Sequence, residues 1–115
     1  MAEDNDFVRM QVVKFLTDAG YSTLEAVDGR QAFEAMNPDV RLAVVDVRME
    51  PLGGFEFIKA IRGEEMKTPV ILVTGDQNPD LLNEASKWGV GAVLMKPVNK
   101  DRLIKLVDRI LGARK

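Results

Sequence analysis

The stretch Leu42-Ala43-Val44-Val45-Asp46 decides the fold. Four apolar residues run without a break into one carboxylate. A short apolar run of this kind reads as a strand buried on both faces of a parallel sheet. Open α/β sheets place their chemistry at the carboxyl ends of their strands, so Asp46 is the candidate working residue. The segment Val47-Arg48-Met49-Glu50-Pro51-Leu52-Gly53-Gly54 that follows reads as a loop leading into a helix.

Working outward, similar strands are predicted at Val70-Ile71-Leu72-Val73, closed by Thr74-Gly75, and at Ala92-Val93-Leu94-Met95, which runs into Lys96-Pro97. Partial alternation and β-favouring residues predict a further short strand over 22–26. Helical spacing of Val8, Val12, Leu16 and Ala19 predicts an amphipathic helix over 6–19, with Asp6 as its cap and Gly20 as its stop. Further helices are expected over 29–36 (Ala32, Phe33 and Met36 inward) and over 54–62 (Phe55, Ile58 and Ile61). Pro79 opens another, lined by Leu81, Leu82, Ala85 and Trp88, and a last one spans 101–111. Strands alternate with helices, so the expected fold class is α/β: a doubly wound parallel sheet with helices on both faces, in one domain over 1–115.

Composition narrows the chemistry. The chain has no cysteine and no histidine, which removes thiol chemistry and imidazole bases or ligands. A formal charge of −2 argues against a nucleic-acid surface. No apolar run approaches a membrane span, and the acidic start Met1-Ala2-Glu3-Asp4-Asn5-Asp6 does not resemble a signal peptide. The expectation is a cytoplasmic protein with no membrane contact and no direct nucleic-acid binding.

All strands of a parallel sheet end on one rim. Asp46, Thr74 and Lys96 each follow an apolar run, and Glu3-Asp4 precede the first helix on the same rim. Taken singly, each has a plain structural role as a turn former, a cap or a solvated lysine. Together they form a chemical set. Clustered carboxylates need a cation, and oxygen ligands with retained water suit Mg²⁺. A carboxylate can attack phosphorus, and a lysine and a hydroxyl can hold the phosphoryl oxygens.

The ordered set Glu3-Asp4-Asn5, Val44-Val45-Asp46-Val47-Arg48-Met49, Gly54, Pro69 to Gly75 and Lys96-Pro97 resembles a receiver domain of a two-component response regulator, across essentially the whole chain. The resemblance implies a CheY-like, flavodoxin-like sandwich of strand order 2-1-3-4-5 with five helices. It implies that Asp46 accepts a phosphoryl group from a sensor histidine kinase or a histidine phosphotransfer domain. Asp4 would ligate Mg²⁺ directly, Glu3 mainly through water, and Arg48 through its backbone carbonyl. Thr74 and Lys96 would bind the phosphoryl group, and the outcome would be switched protein interactions with slow autodephosphorylation rather than turnover of a substrate.

The chain departs from the family pattern in several places. Family members begin with a hydrophobic strand before the acidic pair, whereas only Met1-Ala2 stands here. That gap leaves three readings: a start that is misassigned or trimmed, a sheet closed up with four strands, or another segment or chain filling the place, as in a homodimer or a strand-swapped dimer. Arg48 and Asp76 are expected to pair at the mouth of the site. Val93 replaces an aromatic that rotates inward on activation, and Glu50-Pro51 and Gly53 alter the loop beyond Asp46. Trp88 is read chiefly as a core residue. A degenerate receiver acting as a phosphorylation-independent interaction module is the alternative function, and a small phosphohydrolase is a third.

Overall fold

The computed structural model describes residues 1–50, 52–75 and 78–112. The apolar runs form three strands: β1 (Ala43–Asp46), β2 (Val70–Thr74) and β3 (Ala92–Met95). They pair in the order β1-β2-β3, all parallel, with Val44 opposite Ile71 and Val73 opposite Leu94. Five helices surround them: α1 (Asp6–Asp18), α2 (Gly29–Ala35), α3 (Gly54–Gly63), α4 (Pro79–Lys87) and α5 (Lys100–Leu111).

The two-residue period of a strand sorts its side chains onto two faces. Ala43, Val45, Val70 and Leu72 join Phe57, Ile58 and Ile61 of α3 and Ala32 of α2 in one core. Val44, Ile71, Val73 and Leu94 join Val12 and Leu16 of α1 and Leu103 and Val107 of α5 in the other. Every residue of β1 and β2 is buried. Each large aliphatic in these layers contributes about 1.5–3 kcal/mol of burial. The result is the three-layer, CheY-like sandwich expected from the sequence.

The strand expected over 22–26 is reduced to a single bridge. Ala26 pairs in parallel with Ala2, which also bridges Val45 on its other side. The segment's bonds to a neighbour are those of Leu24 and Ala26 with Met1 and Glu3, too few for a ladder. Ala2 donates to Val44 O at 2.9 Å and accepts from Asp46 N at 2.9 Å, while Glu3 N reaches Ala26 O at 3.0 Å. Ala2 therefore holds the central position of the order 2-1-3-4-5, and the sheet does not close up around it.

Helix ends follow local side-chain chemistry. Asn5, not Asp6, caps α1, its side chain accepting from Val8 N at 3.1 Å. Asp6 enters the first turn and pairs with Arg9 instead. Asp28 caps α2, Asn78 caps α4 ahead of Pro79, and Asn99 caps α5. Leu82, expected inward on α4, is exposed, whereas Ala85 is buried. Trp88 packs against the α3 side of the core, with its indole N–H 3.4 Å from Glu84 Oε2 and the Lys59 ammonium over its ring. Arg62 ties three backbone carbonyls together, those of Met66, Thr68 and Trp88. Among the described residues, no helix is long and apolar enough to cross a membrane.

Candidate functional site

The rim at the carboxyl ends of the strands brings together Glu3, Asp4, Asp46, Thr74 and Lys96, which lie on four separate stretches of chain. Asp46 closes β1 and is buried, as is Thr74 at the end of β2. Lys96 follows β3, and its backbone N–H donates to Thr74 O at 2.8 Å. Its ammonium lies 3.1 Å from Asp46 Oδ1 and 3.2 Å from Glu3 Oε1. One cation thus joins two buried carboxylates.

Glu3 is fully enclosed. Its Oε2 accepts from Asn5 N at 3.0 Å. Its Oε1 is buried and has no hydrogen bond of good geometry, although Lys96 lies close. Carboxylate oxygens of Glu3, Asp4 and Asp46 fall within 4.8 Å of one another, and Asp4 is exposed to solvent. Three carboxylates around a point, with only one ammonium beside them, suit a hard divalent cation with retained water. The residues present therefore fit a metal, and Glu3, Asp4 and Asp46 are the side chains that would hold it.

The electrostatics match this arrangement. Burial pushes the Asp46 carboxyl above its ordinary range, opposed by the Lys96 ammonium, while the Asp4 charge adds to the rise and the Arg48 backbone N–H works against it. Burial also raises Glu3, with the Asn5 N–H and Lys96 opposing and the Asp46 charge reinforcing. Burial acts against the Lys96 ammonium, but Asp46 and Glu3 outweigh it and raise Lys96 above its usual value. The cluster is short of positive charge, which is the state a cation relieves.

One supporting residue, Arg9, carries no signal that stands out in the sequence. Arg9 donates to Glu3 O at 2.8 Å while pairing with Asp6 and Glu25, and so clamps the acidic segment to α1. Its spacing of three from Asp6 was the available clue. Gly54 opens α3 against the end of β1, where a Cβ would stand 2.5 Å from Asp46 O. Gly53 is similarly confined, 2.8 Å from Val47 O, so the loop's own backbone excludes a larger residue there. Lys96-Pro97 is a cis peptide. The expected Arg48–Asp76 pair and the Pro51 of the altered loop fall outside the described residues.

Comparison with known proteins matches residues 1–108 to the response regulator receiver domain. The chain belongs to that family. It is 33% identical over 114 residues to the regulatory protein AtoC of Escherichia coli, covering 96% of this chain and 24% of that protein. The chemotaxis protein CheY4 of Vibrio cholerae superposes with a TM-score of 0.87 at 33% identity, over 95% of this chain and 93% of that one. The receiver domain of Francisella response regulator 1452 superposes at 0.90 with 27% identity, over 99% and 95% of the two chains. This receiver thus spans about a quarter of the AtoC length. It carries the acidic cluster, and Ala2 bridges Ala26 and Val45 at the centre of the sheet that presents it.

Proposed function

We propose that this receiver takes a phosphoryl group onto Asp46 from a phosphohistidine of a sensor histidine kinase or a histidine phosphotransfer domain. The observation that carries the reading is the buried Asp46 carboxylate at 3.1 Å from the Lys96 ammonium, inside a cluster completed by Glu3 and Asp4. An Asp46 oxygen attacks phosphorus and the P–N bond to the donor imidazole breaks. The imidazole nitrogen keeps the bonding electron pair and takes up a proton. Asp4, Asp46, the Arg48 carbonyl and, through water, Glu3 would hold Mg²⁺, which would supply charge neutralisation.

The chain's own groups account for the rest. Lys96 follows the phosphoryl charge, since its ammonium already sits on the carboxylate that receives it. Glu3 holds Lys96 from the other side. Thr74 stands one residue beyond Val73, the register partner of Asp46, where its hydroxyl can donate to a phosphoryl oxygen. The start of α1 carries Phe7 and Met10, 87% and 63% exposed, next to the acidic segment. That apolar surface suits a partner helix bringing its phosphohistidine to the rim.

Phosphoramidate, a small P–N donor, tests the reading. With Mg²⁺ present, intact mass should show one added phosphoryl group on the wild type and none on Asp46→Asn. A folded wild-type protein that gains nothing would favour the phosphorylation-independent interaction module.

A further inference from the structure

Asp4 is the exposed member of the acidic set. Among the described residues its side chain has no hydrogen bond or ion pair. Its carboxylate nonetheless stands with those of Glu3 and Asp46, their oxygens within 4.8 Å of one another. That place is therefore set by the Asp4 backbone. A residue's two soft dihedrals are fixed once the peptide planes on either side of it are fixed.

Both planes are held. The peptide after Asp4 is held by Glu3, whose Oε2 accepts from Asn5 N at 3.0 Å. The peptide before Asp4 is held by Arg9, whose Nη1 donates to Glu3 O at 2.8 Å. Arg9 lies in the first turn of α1 and reaches back to that carbonyl. Its own backbone N–H donates to Asn5 O at 2.9 Å. One residue thus grips the acidic segment at two points.

The guanidinium is itself fixed. Nη2 donates to Asp6 Oδ1 at 2.6 Å, and Nε donates to Glu25 Oε1 at 3.2 Å. The side chain is only 13% exposed. Three nitrogens serve three acceptors on three pieces of chain: the acidic segment, α1 and the segment before α2. A planar fork meets these directions at once, whereas a lysine ammonium brings the charge without the fork. Asp6 and Glu25 also balance the guanidinium charge, which would otherwise repel a dication at the rim.

Taking Glu3, Asp4 and Asp46 as the cation-holding set, we propose that Arg9 is a positioning residue for the divalent cation. Its guanidinium fixes the peptide before Asp4 and so keeps the Asp4 carboxylate beside Asp46. Charge and geometry then predict opposite signs for its removal. Loss of a nearby positive charge alone tightens the binding of a dication. Loss of the group that orients a metal ligand weakens it, by about 10–100-fold in comparable sites.

Mg²⁺ titration of the 115-residue protein, followed by amide shifts in heteronuclear NMR spectra, tests the proposal. Arg9→Met and Arg9→Lys should both bind Mg²⁺ about tenfold more weakly than wild type, in protein that urea unfolding shows to be folded. Without metal, amide relaxation should show greater motion at Asp4 in both variants and none added at Ile71 or Leu72 of β2. Arg9→Lys keeps the charge and carries the test if Arg9→Met does not fold. Lowered stability with unchanged Mg²⁺ affinity would overturn the proposal and leave Arg9 a clamp of the fold. Tighter binding by Arg9→Met would overturn it in favour of charge alone, and wild-type affinity in Arg9→Lys would overturn the role of the fork. Asp4→Asn is the reference. If it binds Mg²⁺ as wild type does, the ion lies elsewhere, and the reading of the rim falls together with the proposal.

Discussion

Replacing Lys96 with Met probes the charge balance of the site. The ammonium lies 3.2 Å from Glu3 and 3.1 Å from Asp46, whose side chains are 0% and 5% exposed. Removing one partner from a buried ion pair costs about 3–5 kcal/mol, because the other charge is left uncompensated. Lys96 is itself 29% exposed, so solvent screens part of the loss. Discounting for that exposure, about 2–3 kcal/mol should be lost at pH 7. For a chain of this length that lowers Tm by roughly 10 °C. The pH dependence supplies the sharper check. Glu3 and Asp46 already titrate above their ordinary range because of burial, and Lys96 holds both down. Without the ammonium they rise further above their unfolded values, so the variant gains stability as pH falls through its folded pKa values. Lys96 itself titrates above its usual value and stays charged throughout this range. Urea unfolding of both proteins at pH 7 and pH 5 should therefore show the deficit shrinking at the lower pH. Adding Asp46→Asn to the variant should recover stability at pH 7. A deficit below about 0.5 kcal/mol, the scale of an ordinary surface change, would refute the reasoning. So would a deficit identical at the two pH values.

Three further outcomes are expected. Mg²⁺ should stabilise the wild type by about 1.4 kcal/mol at ten times its Kd, and Asp4→Asn should remove the gain while raising metal-free stability slightly, since its charge repels Asp46; a thermal shift that survives in the variant would place the ion elsewhere. Gly29→Ala should cost about 1–3 kcal/mol by overpacking, since its Cβ would stand 2.7 Å from Leu52 O and 2.8 Å from Gly53 O; a urea midpoint at or above wild type would mean the loop moves aside. The Met1 amine, lowered from an ordinary 8.0 to about 6 by burial, binds fewer protons in the folded chain than in the unfolded one between those values. Its contribution should make stability rise from pH 6 to pH 8 relative to Nα-acetylated protein, and an unchanged difference across that range would contradict it.

Much of the fold was legible because the buried strands are written as uninterrupted apolar runs. Leu42 to Val45, Val70 to Val73 and Ala92 to Met95 each formed within one residue of the expected bounds. Asp46, Thr74 and Lys96 were readable for the same reason, since each is the first polar residue after such a run. The 22–26 segment forms only a bridge because β-favouring composition describes one strand, whereas a ladder needs a paired second one. Asn5 and Asp6 are both good caps by residue type, and only the reach of Asn5 to Val8 N separates them. Spacing alone points Leu82 inward, but α4 buries a narrow face centred on Ala85 and leaves Leu82 exposed. Arg9 and the Met1 amine gain their roles from tertiary neighbours, which no local pattern encodes.

The central claim is that Asp46 is the phosphoacceptor. Its most direct test is borohydride reduction of protein treated with acetyl phosphate and Mg²⁺, followed by peptide mass mapping, since an acyl phosphate is reduced to an alcohol at the residue that carried it. The account predicts homoserine at position 46 and at no other acidic position, dependent on Mg²⁺. Reduction at Glu3, Asp4 or another carboxylate, or none in protein shown to be folded, would contradict it.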